Sequence, residues 1–295
     1  MRENVQVWDA HPVSSDQSDL GEGARWCAER SELISVDLTA GVCRFSRYRD
    51  GLLTTTQEIQ VDGFLALVEP LSNGGYVACR ERTVEWWDSS LEKIMESEIP
   101  LGPNERLNDG SMNPDGQLVV GSMGMNGEAG LGKLWLVELG REPLLLRSGD
   151  GIPNGIAWDV SRNRVYWVDS GPGVVYVFNY LSHGVDWSAP IETWEISDQT
   201  STPDGLSLDS SGNIWIAMWG GSRVDGYSPD GKLIGRVKVP ASQTTSCAFG
   251  GEGLRNLFIT SAAFALSADQ LAQEPEAGLI FVATMGEPPQ EAPHG

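Results

Sequence analysis

The stretch GIAWDVSRNRVYWVDS, residues 155–170, reads as an apolar strand, a polar turn, and a second strand that ends in acidic and small residues. The same order recurs along the chain. It appears as ARWCAERSELISVDL (24–38), LALVEPLSNGGYVACR (65–80), GSMNPDGQLVVGSM (110–123), GLSLDSSGNIWIAMW (205–219) and CAFGGEGLRNLFITS (247–261). Taking an apolar residue just after each turn as an anchor gives Leu33, Tyr76, Leu118, Val165, Ile214 and Leu257. Their separations are 43, 42, 47, 49 and 43 residues. That is the length of a four-stranded propeller blade, and six such units fill the chain. The fold expected is all-β: a single six-bladed β-propeller domain with four-stranded antiparallel blades around a central channel. A pair of β-sandwiches does not explain the spacing.

A blade cannot bury both faces of its sheet alone, so neighbours must stack and the ring must close. The N-terminal segment VQVWD (5–9) is expected to pair into the last blade beside GLIFVAT (278–284). Helical periodicity is weak, and residues 267–274 read as a loop turn. Residues 1–4 and 286–295 read as flexible tails.

Composition agrees with this reading. Of the 295 residues 40% are hydrophobic, enough for a sizeable core, and 35 glycines with 16 prolines suit many strands and tight turns. Acidic residues outnumber basic ones 41 to 20, for a formal charge of −21. Such a surface repels phosphate backbones and anionic lipids, which argues against nucleic-acid and membrane partners. The N-terminus lacks the apolar core of a signal peptide, and no apolar run is long enough to span a bilayer. Cys27, Cys43, Cys79 and Cys247 lie far apart with no CxxC spacing, so a reduced, cytoplasmic protein is expected. No feature of the sequence specifies an oligomeric state.

The repeat also locates a site. Counting back 10 or 11 residues from the anchors reaches Glu22, Asn108, Asn154, Asp204 and Ser246, while the second blade has Leu65 there. Equivalent positions on innermost strands converge on one ring. A ring of carboxylates, amides and a hydroxyl, without sulfur or imidazole, suits a hard divalent ion such as Ca²⁺, Mg²⁺ or Mn²⁺. Asn108-Asp109-Gly110, Pro153-Asn154-Gly155 and Pro203-Asp204-Gly205 are each also good turn tripeptides. Their shared phase with the repeat is what favours a site.

At these residues the chain resembles the SMP-30/gluconolactonase/regucalcin family of six-bladed propellers. The matching stretches are LGEGARW (20–26), RLNDGSMNPDGQLVVGSM (106–123), IPNGIAWDVSRNRVYWVDS (152–170), STPDGLSLDSSGNIWIAMWGG (201–221), YSPDGKL (227–233) and TTSCAFGG (244–251). The resemblance implies one divalent metal ion (Ca²⁺, Mg²⁺, Mn²⁺ or Zn²⁺) held by Glu22, Asn154 and Asp204. It further implies substrate contacts from Arg106 and Asn108, and hydrolysis of a small, sugar-derived lactone. Ala24 stands where the family usually has proline. Asn126 falls where vertebrate members have an acidic substrate contact, with Glu128 a substitute two residues on.

Within that resemblance, a bound ion polarises the lactone carbonyl, and Asp204 is the expected base for the attacking water. A phosphotriesterase and a non-enzymatic, calcium-binding regulatory propeller are the alternatives. Nucleophilic catalysis fits poorly. His11, His183 and His294 fall outside the repeat register, GLSLD (205–209) is not a nucleophile elbow, and Cys247 has no basic neighbour. Trp219, ending the strand after Asp204, is placed to reach the channel mouth.

Overall fold

The computed structural model describes residues 5–182 and 184–286. The expected tails, apart from Gly286, lie outside the described residues, as do His183 and His294. Among the described residues the chain forms six sheets, five of four strands and one of five. The innermost strands are Gly21–Cys27, Leu65–Pro70, Glu105–Met112, Pro153–Asp159, Thr202–Leu208 and Thr244–Gly250. Each touches the innermost strands of the blades on both sides, which closes a six-membered ring. The fold is the six-bladed propeller that the repeat predicts.

The stretch 155–170 shows how one blade is made. Pro153–Asp159 pairs antiparallel with Arg164–Asp169, joined by the turn Val160–Arg162. Asp159 accepts the backbone N–H of Arg162, and Asn163 takes up a left-handed conformation at φ 53°, which asparagine tolerates well. Val174–Asn179 and Glu192–Glu195 complete the sheet outward.

The six anchors are each no more than 1% exposed. Apolar clusters span pairs of neighbouring blades. Ile34, Val36 and Phe45 of the first pack on Leu65, Tyr76 and Trp87 of the second. Val119 and Leu134 of the third meet Ile156, Val165 and Trp167 of the fourth. Blades four and five share Tyr166, Val168, Ile216 and Met218, and blades five and six share Trp215, Ala217, Cys247 and Ile259. Ala24 and Leu33 meet Ala248 and Phe258 where the last blade returns to the first. The hydrophobic core is thus divided among the blade interfaces, and a blade without its neighbours would expose both faces to water.

Closure differs from the expectation. Gln6–Asp9 does not join the last blade. It runs parallel to Leu233–Lys238 as a fifth, outermost strand of blade five. The last blade is completed by His11–Pro12, which pairs with Phe281–Thr284. Trp8 explains the preference, since its ring lies edge-on to Trp215 of blade five at 5.5 Å between centroids. Residues 268–273 also differ: they form a short helix, Ala268–Gln273, whose N-terminus carries a reciprocal capping box between Ser267 and Gln270.

Candidate functional site

Each innermost hairpin carries a one-residue irregularity in its register, and the ring residues sit on it. Asn108, Asn154, Asp204 and Ser246 lie inside bulges, Glu22 stands at the edge of one, and blade two has Leu65 and Ala66 at its own. A bulge breaks the inward–outward alternation and re-aims a side chain, here toward the axis. The Pro-Asn-Gly and Pro-Asp-Gly tripeptides are therefore not turns. Their glycines permit close approach: a Cβ on Gly155 would come within 2.6 Å of the Leu206 nitrogen, and one on Gly205 within 2.6 Å of the Ser246 hydroxyl.

The side chains so aimed are close enough to interact. Asn154 Nδ2 donates to Ser170 Oγ at 3.2 Å, and the Asn154 side chain lies near enough to Asp204 to favour its charged form against burial. Asn108 bridges blades three and four through Nδ2 to the Pro153 carbonyl at 2.9 Å, and its Oδ1 accepts from Arg106 at 2.8 Å. Among the described residues, three buried oxygens in the ring have no hydrogen-bond partner: Asn154 Oδ1, Asp204 Oδ1 and Ser246 Oγ. Buried oxygens normally find a donor, so these three are available to accept from, or coordinate, a ligand.

The electrostatics agree. Burial raises the Glu22 carboxyl from its ordinary 4.5 to about 8, and the nearby Asp109 charge adds to the effect. Asp204 is held well above the usual carboxylate range by burial, then by Glu22 and Asp109. Burial pulls the Arg106 guanidinium down, while Glu22 and Asp204 draw it back up. A bound cation would reverse the penalty on both carboxylates.

Beside the ring lies an ion cluster that sequence reasoning missed. The Arg25 guanidinium donates through Nε to Glu69 at 2.5 Å, and through Nη2 to Asp109 at 2.8 Å and the Gly110 carbonyl at 2.6 Å. Burial opposes its charge, yet Asp109 and Glu69 outweigh burial and raise its pKa. Glu69 itself is raised by burial and eased by Arg25. The available signal was Glu69 itself, a charge inside the apolar strand LALVEP. With all groups ionised, four carboxylates (Glu22, Glu69, Asp109, Asp204) meet two guanidiniums (Arg25, Arg106). Two negative charges remain, which one divalent cation balances.

Among the described residues no three His, Cys, Asp or Glu side chains gather as a metal cluster. The candidate set is instead two carboxylates and an amide, and its donor atoms fit a hard ion.

The remaining predicted residues are placed as follows. Asn126 and Glu128 lie in the exposed loop 125–131 and bond to each other, with Asn126 Nδ2 donating to Glu128 Oε1 at 2.9 Å. That loop continues from Met123, the cross-strand partner of Arg106. Trp219 is half-buried, bridges to Gln243, and packs on the cluster that includes Leu20 and Ala262. Cys247 is core: its thiol donates to the Trp215 carbonyl, and burial pushes its pKa up to about 12.

Residues 20–263 match the model of the "SMP-30/Gluconolactonase/LRE-like region". The chain belongs to this family. Regucalcin of Danio rerio is 31% identical over 278 residues, covering 92% of both chains. A Bacillus subtilis relative named "Putative sugar lactone lactonase YvrE" is 27% identical, covering 94% of this chain and 95% of its own. Among solved structures, the calcium-binding protein regucalcin from Agrobacterium tumefaciens superposes with a TM-score of 0.83 at 25% identity, over 96% of this chain and 98% of its own. No helix among the described residues is long and apolar enough to cross a membrane, and the four cysteines are free thiols.

Proposed function

We infer that this member of the family is a divalent-metal-dependent hydrolase that opens a small, sugar-derived lactone. The observation that carries the reading is the meeting of Glu22, Asn154 and Asp204, where Asn154 and Asp204 each keep a buried oxygen without a partner and burial pushes both carboxyls upward. The sugar-lactone lactonase name borne by the Bacillus relative supports the substrate class, and the calcium-binding name of the Agrobacterium regucalcin makes Ca²⁺ the first ion to try.

In this reading Glu22, Asn154 and Asp204 hold the ion, which when bound supplies Lewis-acid polarisation of the lactone carbonyl. Asp204 keeps one oxygen free of hydrogen bonds and accepts the proton of the attacking water, as a positioned carboxylate base does. Arg106, braced against Asn108 Oδ1 and the Leu107 carbonyl, points its guanidinium at the ring carboxylates and orients substrate oxygens. Asn108 fixes that guanidinium and tethers blade three to blade four. The loop bearing Asn126 and Glu128 contributes substrate contacts from the Arg106 side. A small molecule is the only partner this chemistry requires, and the free thiols suit a cytoplasmic setting.

The test is to strip the protein with EDTA and restore Ca²⁺, Mg²⁺, Mn²⁺ or Zn²⁺ separately, following hydrolysis of a panel of sugar lactones. Activity should vanish on stripping and return with at least one ion. Hydrolysis indifferent to chelation would remove the metal from the mechanism. A stabilising ion with no turnover of any lactone would point instead to a regulatory propeller.

A further inference from the structure

Two buried carboxylates outside the ring make the same contacts in two different blades. Asp37 ends the second strand of blade one, opposite Gly21, the residue before Glu22. Asp169 ends the second strand of blade four, opposite Pro153, the residue before Asn154. Asp37 Oδ2 accepts the N–H of Asp19 at 2.8 Å and its Oδ1 that of Leu20 at 3.2 Å. Asp169 Oδ2 accepts the N–H of Gly151 at 3.0 Å and its Oδ1 that of Ile152 at 2.7 Å. In both blades the carboxylate grips the backbone three and two residues before the ring side chain. Each Oδ1 also holds the loop that follows, through Ala40 in one case and Gly171 in the other.

The grip is confined to particular blades. The matching cross-strand place holds Ser122 opposite Leu107 in blade three and Met218 opposite Pro203 in blade five. Asp37 and Asp169 are 4% and 1% exposed, so their charge is compensated by these N–H groups rather than by water. The fit is close: a Cβ on Gly151 would come within 2.8 Å of Gly171 Cα and 2.9 Å of Asp169 Oδ1. Because the ring residue follows at once, on a bulge, the clamped backbone sets where its oxygens point.

We propose that Asp37 and Asp169 are positioning residues that fix Glu22 and Asn154 in ion-binding geometry by clamping the strand entry behind each. Neither belongs to the ring itself, since they stand opposite Gly21 and Pro153 on the second strand of each blade. The inference rests on the metal reading above. Removing an outer partner of a metal ligand weakens affinity by about 10–100-fold.

The experiment is calorimetric titration of the EDTA-stripped protein with Ca²⁺, Mg²⁺, Mn²⁺ and Zn²⁺ salts, with thermal midpoints measured alongside. Asp37→Ala and Asp169→Ala should each weaken the tightest-binding ion by about 10–100-fold. Asp169→Asn, which keeps one acceptor oxygen for Ile152, should recover part of that loss, and it serves if the alanine variant does not fold. The control is Asp209→Ala. Asp209 accepts from the Ser211 and Asn213 backbone and from Trp215 Nε1, at the far end of the blade-five inner hairpin. It should lower the midpoint comparably yet leave the ion's Kd within about twofold, as expected of a distant, independent site. Wild-type affinity in folded Asp37→Ala and Asp169→Ala would overturn the proposal, as would an equal loss in Asp209→Ala. A wild-type protein that binds none of the four ions would overturn the metal reading itself, a result distinct from either of these.

Discussion

The ring of Glu22, Asn154 and Asp204 and the cluster of Arg25, Glu69 and Asp109 occupy the same channel and are made of similar groups. They differ in how their polar atoms are satisfied. Around Arg25, Nε and both Nη atoms have acceptors, drawn from three blades and including the Ala24 carbonyl. In the ring, amide, carboxylate and hydroxyl oxygens are left without donors, and both carboxyls are pushed upward. A buried polar network that completes itself holds a fold together. One that stops short at a common point is arranged for something else to complete it. The difference between structural and functional polarity therefore lies in the bookkeeping of lone pairs rather than in residue type.

The comparison breaks most sharply at Asp204. Asp204→Ala should lower lactone hydrolysis by at least about 100-fold, the lower end of what a general base contributes. The same variant should keep its fold and, without metal, unfold at a slightly higher temperature, because a carboxyl crowded by Glu22 and Asp109 is gone. Steady-state kinetics and a thermal melt of the stripped protein check both. Retained turnover would take the base role away from Asp204.

The opposite pattern is expected at Arg25. Arg25→Met leaves Glu69 and Asp109 buried without their cation, and breaking a buried pair on one side destabilises by about 3–5 kcal/mol. Chemical denaturation of the metal-loaded protein measures this. A loss below about 1 kcal/mol, the range of a surface pair, would show that the cluster is not the brace its contacts suggest.

The third effect concerns pH. The Glu22 carboxyl holds its proton more tightly in the folded chain, at about 8, than at its ordinary 4.5. Its contribution to stability is therefore full below about 4.5 and is lost as pH rises through about 8. The stripped protein should melt at progressively lower temperature across that window, and saturating metal should flatten the slope. Ion affinity should rise over the same range as the competing proton leaves. Glu22→Gln should reduce the slope and leave the part that belongs to Asp204, whose carboxyl is also raised by burial; a slope unchanged by this substitution would take Glu22 out of it.

How much of this the sequence could say depended on distance along the chain. The blades were legible because each anchor recurs at nearly constant spacing, and the ring was legible because Glu22, Asn108, Asn154, Asp204 and Ser246 keep phase with it. Their bulges were not, since Pro-Asn-Gly and Pro-Asp-Gly look the same in a turn. Arg25 finds its partners 44 and 84 residues away, so no local pattern names Glu69 or Asp109. Closure was misplaced for a related reason: VQVWD suits either sheet edge, and the ladder with Leu233–Lys238 and the Trp8–Trp215 contact that hold it on blade five lie more than 200 residues away in sequence. The helix Ala268–Gln273 does have a short-range signal, the Ser267 and Gln270 capping pair, but six residues are too few to show helical periodicity.

A smaller effect is expected at Arg106, whose guanidinium feels Glu22 and Asp204 but is anchored on Asn108 and Leu107. Arg106→Ala should raise KM by about tenfold, the loss of one charge-assisted hydrogen bond, without weakening the ion. Removing a positive charge beside two carboxylates takes away its repulsion of a cation, so a collapse of metal affinity would show that Arg106 organises the ring.

The smallest effect belongs to the loop above it, where the ring's unfilled valences give way to side chains that satisfy each other. Asn126 and Glu128 are exposed and joined by two hydrogen bonds, from the Asn126 backbone and from its amide. Glu128→Ala should change stability by no more than about 0.5 kcal/mol, as is usual for surface positions. In substrate binding the two residues separate. Asn126→Ala and Glu128→Ala should each raise KM a few-fold, about 1 kcal/mol in binding, while kcat and ion affinity stay as they are. If only Glu128→Ala moves KM, the contact has shifted two residues along the loop. If neither does, recognition lies with Arg106 and the ring, and the loop's self-contained pair is structural in the same sense as Arg25 and its partners.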